Sequence, residues 1–200
     1  MIKFYLNREL ADSLGFKLSR WKRWSREFLP PDPLGGLQSG FARQYSLVDA
    51  FHVYLGGHLV ADLNFPIPET RLILDDLKPW VRSQFFSHKH NKVPPSVALP
   101  TKEYRIHIFT TRANSHTEHK RRYAVRRLID EKMDGKRGTR MITERYLENW
   151  LESGEFVSGD ADADNALEWG SSRILYISKL YEKFKRKLNQ ESSQTDSRKT

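Results

Sequence analysis

Apolar residues recur at steps of three and four in four N-terminal segments, which is the spacing that places them on one face of an α-helix. The boundaries of these segments carry helix start and stop residues. Asn7 and Ser46 suit N-caps, Gly15 suits the left-handed position after a helix, and prolines follow Leu29. The pattern therefore predicts four helices, at Arg8–Leu14, Leu18–Phe28, Leu47–Leu63 and Glu69–Ser83.

The second predicted helix has two chemically different faces. One face is bulky and apolar, and the opposite face carries only polar and cationic groups. A basic helix backed by aromatic residues suits the major groove of DNA, where cations meet phosphates and the acceptor edge of guanine. The alternative is a solvated basic surface. The apolar residues are Leu18, Trp21, Trp24 and Phe28, and the candidate DNA-binding residues are Ser19, Arg20, Lys22, Arg23 and Arg26.

A short strand is predicted ahead of the third helix. Residues 41–45 place Phe41, Arg43 and Tyr45 on one side, and the glycine-rich stretch before them suits a hairpin tip. We expect Tyr45 to lie in the core and Arg43, the sixth candidate DNA-binding residue, to reach a phosphate. Helix, tight glycine-containing turn and basic second helix are the parts of a helix-turn-helix.

The remaining chain predicts a linker and a second, mostly helical domain. Residues 84–102 are proline-broken, residues 103–110 alternate as a strand should, and residues 191–200 lack apolar side chains and should be disordered. Apolar periodicity predicts three further helices, at Thr117–Met133, Ile142–Leu151 and Ser171–Leu188. The predicted fold class is mainly α with a small β component: an N-terminal helix-turn-helix followed by a helical (α+β) C-terminal domain.

The charge distribution favours a polyanionic partner. The net charge is +9, and residues 101–140 carry twelve Lys and Arg against five Asp and Glu. Nucleic acid is favoured over a membrane surface for such a chain. The basic cluster Lys120–Arg127 could be a second DNA-backbone contact or only a solvated face. There are no cysteines, no signal-peptide pattern and no apolar run of ~20 residues, so we expect a soluble cytoplasmic protein.

The candidate metal and catalytic patterns are weak. His88 and His90 lack an obvious carboxylate or thiolate partner, and the histidines of His116–His119 are three apart rather than the four that a zincin helix needs. Residues 160–165 resemble the first half of a calcium loop, but Asn165 replaces its glycine and Ser171 its bidentate glutamate. We expect no metal, no cofactor and no enzymatic activity.

The N-terminal residues resemble the DNA-binding domain of the MerR family of bacterial regulators, from about Phe4 to Val81. The family's recognition-helix pattern, Gly-Val-Ser-x-x-Thr-Leu-Arg-Tyr-Tyr-Glu-Arg-x-Gly-Leu, lies without gaps over Gly15–Leu29. Its wing pattern, Gly-Tyr-Arg-x-Tyr-Ser, is similar to Gly40–Ser46. The resemblance implies a winged helix-turn-helix that binds double-stranded DNA.

The same resemblance assigns individual roles. Lys22 takes the position of a phosphate-contacting arginine, Arg23 and Trp24 take two paired tyrosines, and Arg43 takes the second arginine of the wing. Arg23 in place of tyrosine and Ala42 in place of arginine imply different phosphate contacts or base preferences. The resemblance also implies an effector sensed outside this domain, whose identity is unknown.

These features predict domains at 1–83 and 103–190, a linker at 84–102 and a tail at 191–200. The expected function is that of a MerR-like transcriptional regulator. An excisionase-like or architectural DNA binder of a mobile element is one alternative, and an enzyme with its site in residues 103–190 is another. We expect a homodimer paired through an apolar seam of the last helix, although this seam could instead pack within its own chain. The seam residues are Ile174, Ile177, Tyr181, Phe184 and Leu188.

Overall fold

A computed structural model describes residues 4–32, 43–86, 103–110, 121–136, 139–152, 155–157 and 171–196. The chain divides into two compact units. Unit 1 contains residues 1–87 and 180–200, and unit 2 contains residues 88–179. None of the helices in the described ranges has the length and apolar composition that crossing a membrane requires. Within these described ranges, five helices and two antiparallel sheets make the fold mainly α with a smaller β component, as predicted.

Unit 1 contains four consecutive helices: α1 (Asn7–Leu14), α2 (Leu18–Phe28), α3 (Leu47–Ala61) and α4 (Ile67–Phe85). All four were predicted to within a few residues. Gly15 ends α1 with φ +76°, as its position in the sequence indicated, and the Ser46 hydroxyl accepts the Asp49 N–H at the start of α3. The prediction that Asn7 caps α1 is wrong. The cap is Leu6, whose N–H donates to the Glu9 carboxylate (2.8 Å), while the Asn7 side chain binds elsewhere.

Two short strands join the start of unit 1 to its middle. Strand β1 (Tyr5–Leu6) pairs antiparallel with β2 (Gln44–Tyr45), the described part of the strand predicted over residues 41–45. Tyr45 is 1% exposed, which confirms its predicted place in the core. The hairpin tip predicted between α2 and β2 lies outside the described residues.

The last helix, α5, runs from Ile177 to Asp196, and its residues from Leu180 onward belong to unit 1. Its apolar face completes the core of that unit. The Phe184 ring lies 5.2 Å from the Phe51 ring and 5.3 Å from the Tyr54 ring. The most deeply buried side chains of unit 1 include Leu10, Leu14, Trp21, Phe51, Leu59, Ile73, Leu77 and Phe184.

This packing corrects three predictions. Phe184 is fully buried within its own chain and Tyr181 nearly so, whereas Ile174 lies in the strand Ser172–Leu175 and is 37% exposed, so the predicted seam is not one free face of the last helix. The predicted domain over residues 103–190 is wrong at its end, because the same packing places residues 180–200 in unit 1. The tail is helical as far as Asp196 rather than disordered, since a nucleated helix gains one hydrogen bond per added residue and neither Gly nor Pro interrupts this one.

The described strands of unit 2 form an antiparallel sheet, where a helical domain was predicted. Its strands are β3 (Tyr104–Thr110), β4 (Arg121–Lys136), β5 (Thr139–Glu152), β6 (Glu155–Val157) and β7 (Ser172–Leu175), in the order β6-β5-β4-β3-β7. Ile106 lies opposite Val125 on β4 and Leu175 on β7, and Ile108 lies opposite Tyr123. These side chains are buried and form one apolar face. Only β3 was predicted as a strand.

The helices predicted at Thr117–Met133 and Ile142–Leu151 are therefore wrong over their described residues. Strand β4 pairs with β3 on one side and with β5 on the other, and β5 pairs with β6. Such pairing supplies non-local hydrogen bonds that override a helical pattern of apolar residues. The predicted helix over Ser171–Leu188 is a strand up to Leu175, and helix begins only at Ile177.

Candidate nucleic-acid interface

The buried side of α2 fixes this helix to α3 through aromatic rings. Trp21, Trp24 and Phe28 are all at most 7% exposed. Two adjacent glycines of α3 receive the rings: a Cβ at Gly57 would meet the Trp24 ring and one at Gly56 the Phe28 ring, both well inside 3.0 Å. Side chains at these glycines would force the helices apart. The α2–α3 contact therefore determines how the opposite face of α2 is presented.

The opposite face of α2 is solvent-exposed and cationic. All five residues predicted there are exposed, and within the described part of the chain no carboxylate pairs with any of its four cations. The Arg20 guanidinium lies 5.9 Å from the centroid of the Trp24 ring, at one edge of this face. Unpaired cations on a rigid helix can bind phosphate or the acceptor edge of guanine without first breaking an ion pair. We call Ser19, Arg20, Lys22, Arg23 and Arg26 the cationic face of α2.

The turn that precedes α2 is closed by backbone hydrogen bonds. The N–H of Phe16 donates to the Ala11 carbonyl (2.8 Å) and that of Gly15 to the Asp12 carbonyl (3.1 Å). Lys187 of α5 donates through its Nζ to the Leu14 carbonyl (2.6 Å), which would otherwise be a free acceptor at the end of α1. The turn between α1 and α2 is thus fixed by its own backbone hydrogen bonds and by the Lys187 side chain of α5.

A chain of hydroxyl contacts joins α2 to the two-stranded sheet. The Tyr45 hydroxyl donates to the Asn7 side-chain oxygen (2.6 Å), so the Ser25 hydroxyl, also 2.6 Å away, is the donor to Tyr45. The Tyr45 ring lies edge-on to Trp21, with centroids 5.8 Å apart. Burial raises the pKa of Tyr45, which keeps this phenol protonated. The resemblance to the MerR wing gave Tyr45 no hydrogen-bonding role.

Arg43 lies at the end of α2, away from its first turn. Its Nη2 donates to the Pro30 carbonyl (2.9 Å), and its guanidinium lies 5.6 Å from the centroid of the Tyr45 ring. The structure thus gives Arg43 a fixed position on the chain. Whether it also meets a phosphate stays a prediction. The six candidate residues therefore occupy two places, five on the face of α2 and Arg43 beside the residues that follow that helix.

A cavity of about 490 Å³ lies behind the C-terminal end of α2, between α3 and α4. Its lining includes Phe28 and Leu55 and the polar residues His52 and Lys78. Burial, followed by the charge of Lys78, lowers the pKa of His52 to about 4. His52 is therefore neutral near pH 7. Arg71 closes one side of the cavity by pairing with the Glu27 carboxylate of α2.

In unit 2 two arginines, Arg126 of β4 and Arg105 of β3, have acidic partners. Arg126 pairs with Glu148 of β5, and its Nη1 lies 3.4 Å from His107 Nε2. Burial and the Arg126 charge lower the pKa of His107. Arg105 lies 3.3 Å from Glu103 and 5.0 Å from the centroid of the Tyr146 ring. These contacts pair Arg126 and Arg105 with carboxylates, whereas the described residues supply no carboxylate partner to the cationic face of α2; Lys120 of the predicted basic cluster lies outside the described residues.

The weak metal candidates are not tested. His88, His90, residues 116–119 and residues 160–165 lie outside the described residues. Among the described residues there is no group of three His, Asp or Glu side chains placed to hold a metal ion.

The predictions from the sequence did not include two features of the site. The Gly56–Gly57 pair interrupts a predicted helix interior, and this is the sequence signal for a close helix contact. Lys183 and Lys187, four residues apart on α5, indicate a basic edge, but nothing local shows that this edge lies beside α1 and α2. No protein-family model and no curated protein matches the chain.

Proposed function

We propose that the chain is a sequence-specific DNA-binding protein, a MerR-like transcriptional regulator whose unit 1 is a winged helix-turn-helix and which acts as a homodimer. The observation that carries this proposal is the cationic face of α2. Its four cations are exposed and unpaired among the described residues, and they stand on a helix fixed by two buried tryptophans. The net charge of +9 supports a polyanionic partner.

Base contacts are assigned to the centre of this face. Arg23 and Arg26 project opposite Trp21 and Trp24, and arginine can bind guanine through two hydrogen bonds in the major groove. Arg20 and Lys22 flank that centre, where phosphates border the groove. Arg43, next to Pro30, is assigned a backbone contact on the wing side.

The test is selection of bound duplexes from a random pool, followed by Arg23→Ala and Arg26→Ala in the full chain. If either arginine contacts a base, we expect a loss of about 1–3 kcal/mol that is confined to the selected site. If the contact is to phosphate, all duplexes should bind more weakly and the salt dependence should decrease. Arg82→Ala, an exposed arginine on α4, controls for charge alone. Unchanged affinity in both α2 variants would refute the proposal.

A second candidate function, that of an excisionase-like or architectural DNA binder, is favoured by one observation. The α5 residues of the seam predicted to pair two copies are buried inside a single chain: Ile177, Tyr181, Phe184 and Leu188. A single winged helix-turn-helix would contact only one half-site. The selected sequences distinguish the two: an enriched palindrome supports the homodimeric regulator, a single half-site supports a monomeric binder, and recovery without sequence preference supports the architectural role.

A further inference from the structure

A notch beside the first turn of α2 collects cations from two distant parts of the chain. Gly15, Phe16 and Arg20 line it from the α1–α2 turn, and Lys183 and Lys187 line it from α5. More than 160 residues separate Arg20 from Lys183 in sequence. The notch exists because Phe184, next to Lys183, is buried against Phe51 and Tyr54, and this packing turns the neighbouring lysines toward α1 and α2.

The two lysines differ in what holds them. Lys187 donates to the Leu14 carbonyl, so its ammonium group is committed to the end of α1. Lys183 is exposed, and no carboxylate among the described residues pairs with it. Among the described residues that line the notch, Asp62 is the one acidic residue, and its carboxylate lies 2.5 Å from His58 Nδ1.

The like charges in the notch oppose each other. Burial, followed by the charge of Lys183, lowers the pKa of Lys187. Arg20 adds a third cation from α2. An anion bound between Lys183 and Arg20 would relieve this repulsion, since opposite charges within a few ångströms favour the charged forms.

The position of the notch identifies the anion. In a helix-turn-helix the N-terminal residues of the recognition helix meet the base edges, and phosphates flank them on both sides. Arg20 stands at the edge of the cationic face of α2, toward α5. We propose that Lys183 of α5, together with Arg20 of α2, binds a DNA backbone phosphate next to the groove that α2 enters. This proposal rests on the proposed function.

The test compares two lysines of α5 in the full chain. Lys183→Ala and Lys185→Ala remove the same charge from the same helix, but Lys185 lies on the other flank, with its Nζ 5.9 Å from the centroid of the Tyr181 ring. The affinity for the selected duplex and for an unrelated duplex is measured over a range of salt concentrations. We expect Lys183→Ala to weaken binding to both duplexes equally and to reduce the slope of log K against log salt by about 0.9. Lys185→Ala should keep the slope of the unaltered chain.

A positional measurement complements the affinities. The natural chain has no cysteine, so Lys183→Cys and Lys185→Cys each provide a single attachment point for a chelated iron that cleaves nearby DNA. We expect cleavage at the backbone flanking the selected site from position 183 and much weaker cleavage from position 185. If Lys183→Ala and Lys185→Ala have equal slopes, or if the two attachment points cleave alike, the α5 contact is refuted while DNA binding stands. If the unaltered chain binds no duplex, both this proposal and the proposed function are refuted.

Discussion

Arg43 and Tyr45 lie two residues apart, and we expect Tyr45 to act on stability and Arg43 on DNA binding. Tyr45→Ala removes a ring that is 1% exposed and should destabilise unit 1 by about 3–5 kcal/mol. Tyr45→Phe keeps the ring but leaves Ser25 and Asn7 without their partner, at a cost of about 1–3 kcal/mol. Arg43→Ala should change stability by about 1 kcal/mol or less and should weaken DNA binding. Urea unfolding and DNA titration measure the two effects, and a destabilising Arg43→Ala with a neutral Tyr45→Ala would contradict these assignments.

His52 makes the stability of unit 1 depend on pH. Its pKa is about 4 in the folded chain, whereas an unperturbed histidine titrates near 6.5. Between these values the unfolded chain binds a proton that the folded chain does not. The free energy of unfolding that depends on a neutral His52 is therefore fully present above pH 6.5. It decreases as the pH falls toward 4, by at most about 3 kcal/mol.

Urea unfolding of His52→Gln between pH 4 and pH 8 measures this contribution. The variant should lose the part of the pH dependence that lies between pH 6.5 and 4, while carboxylate titration at lower pH remains. His58→Gln on the same helix leaves His52 in place and should keep the part of the pH dependence that His52 contributes. A His52→Gln variant with the pH profile of the unaltered chain would show that this imidazole is not desolvated.

At the scale of single residues, the sequence was sufficient wherever a local pattern determines the environment. Helical periodicity divided α2 into an aromatic and a cationic face, and burial confirms this division, with Leu18 half-buried at the start of the helix. It could not show that Trp24 faces Gly57 or that Lys187 meets Leu14, because such contacts depend on how separate helices pack. The DNA-binding roles of the exposed residues remain predictions.

Between elements, the α2–α3 contact should be the most sensitive to added volume. An alanine in place of glycine inside a helix normally stabilises by about 0.5–1 kcal/mol. At Gly57 the new Cβ would instead collide with the Trp24 ring, and overpacking of this kind costs about 1–3 kcal/mol. We therefore expect Gly57→Ala to lower the free energy of unfolding.

A double-mutant cycle with Trp24→Leu tests the cause. With the indole removed, the additional cost of Gly57→Ala should largely disappear, since the two sites are in direct contact. Chemical unfolding of the four proteins gives the coupling energy. If Gly57→Ala is as stable as the unaltered chain, or if the cycle shows no coupling, the rings of α2 do not approach α3 as closely as the structure indicates.

The strands of unit 2 show why element type could not always be predicted. In β5 the residues Ile142, Tyr146 and Trp150 recur at steps of four, which is a helical pattern, yet β5 pairs along its length with β4. In β4 the residues Val125, Leu128, Ile129 and Met133 recur at steps of three, one and four, which favoured the helix predicted over Thr117–Met133. A strand obtains its hydrogen bonds from distant residues, so its own sequence specifies it weakly.

At the scale of the whole chain, unit 2 is an insertion into unit 1. The chain leaves unit 1 after α4 and returns at Leu180 in α5. The two points are adjacent: the Phe85 and Tyr181 rings have centroids 4.7 Å apart, and the Tyr181 hydroxyl lies 3.3 Å from the Phe85 carbonyl. An insertion with neighbouring ends can be exchanged for a short linker, because closing a short loop costs little conformational entropy.

Because the ends of the insertion are adjacent, we expect unit 1 to fold without unit 2. A chain in which a short Gly/Ser linker replaces residues 88–179 should fold cooperatively, because α5 still supplies Tyr181, Phe184 and Leu188 to the core. Residues 1–87 alone should be largely unfolded, since the rings of Phe51 and Tyr54 would lose their covering. Thermal unfolding followed by circular dichroism compares the stability of the linked chain with that of residues 1–87. If unit 1 alone holds the DNA contacts, the linked chain should also bind the selected half-site with the salt dependence of the full chain. A truncated 1–87 chain as stable as the linked one would mean that α5 is not part of this core, and the notch at Lys183 would then have no structural basis.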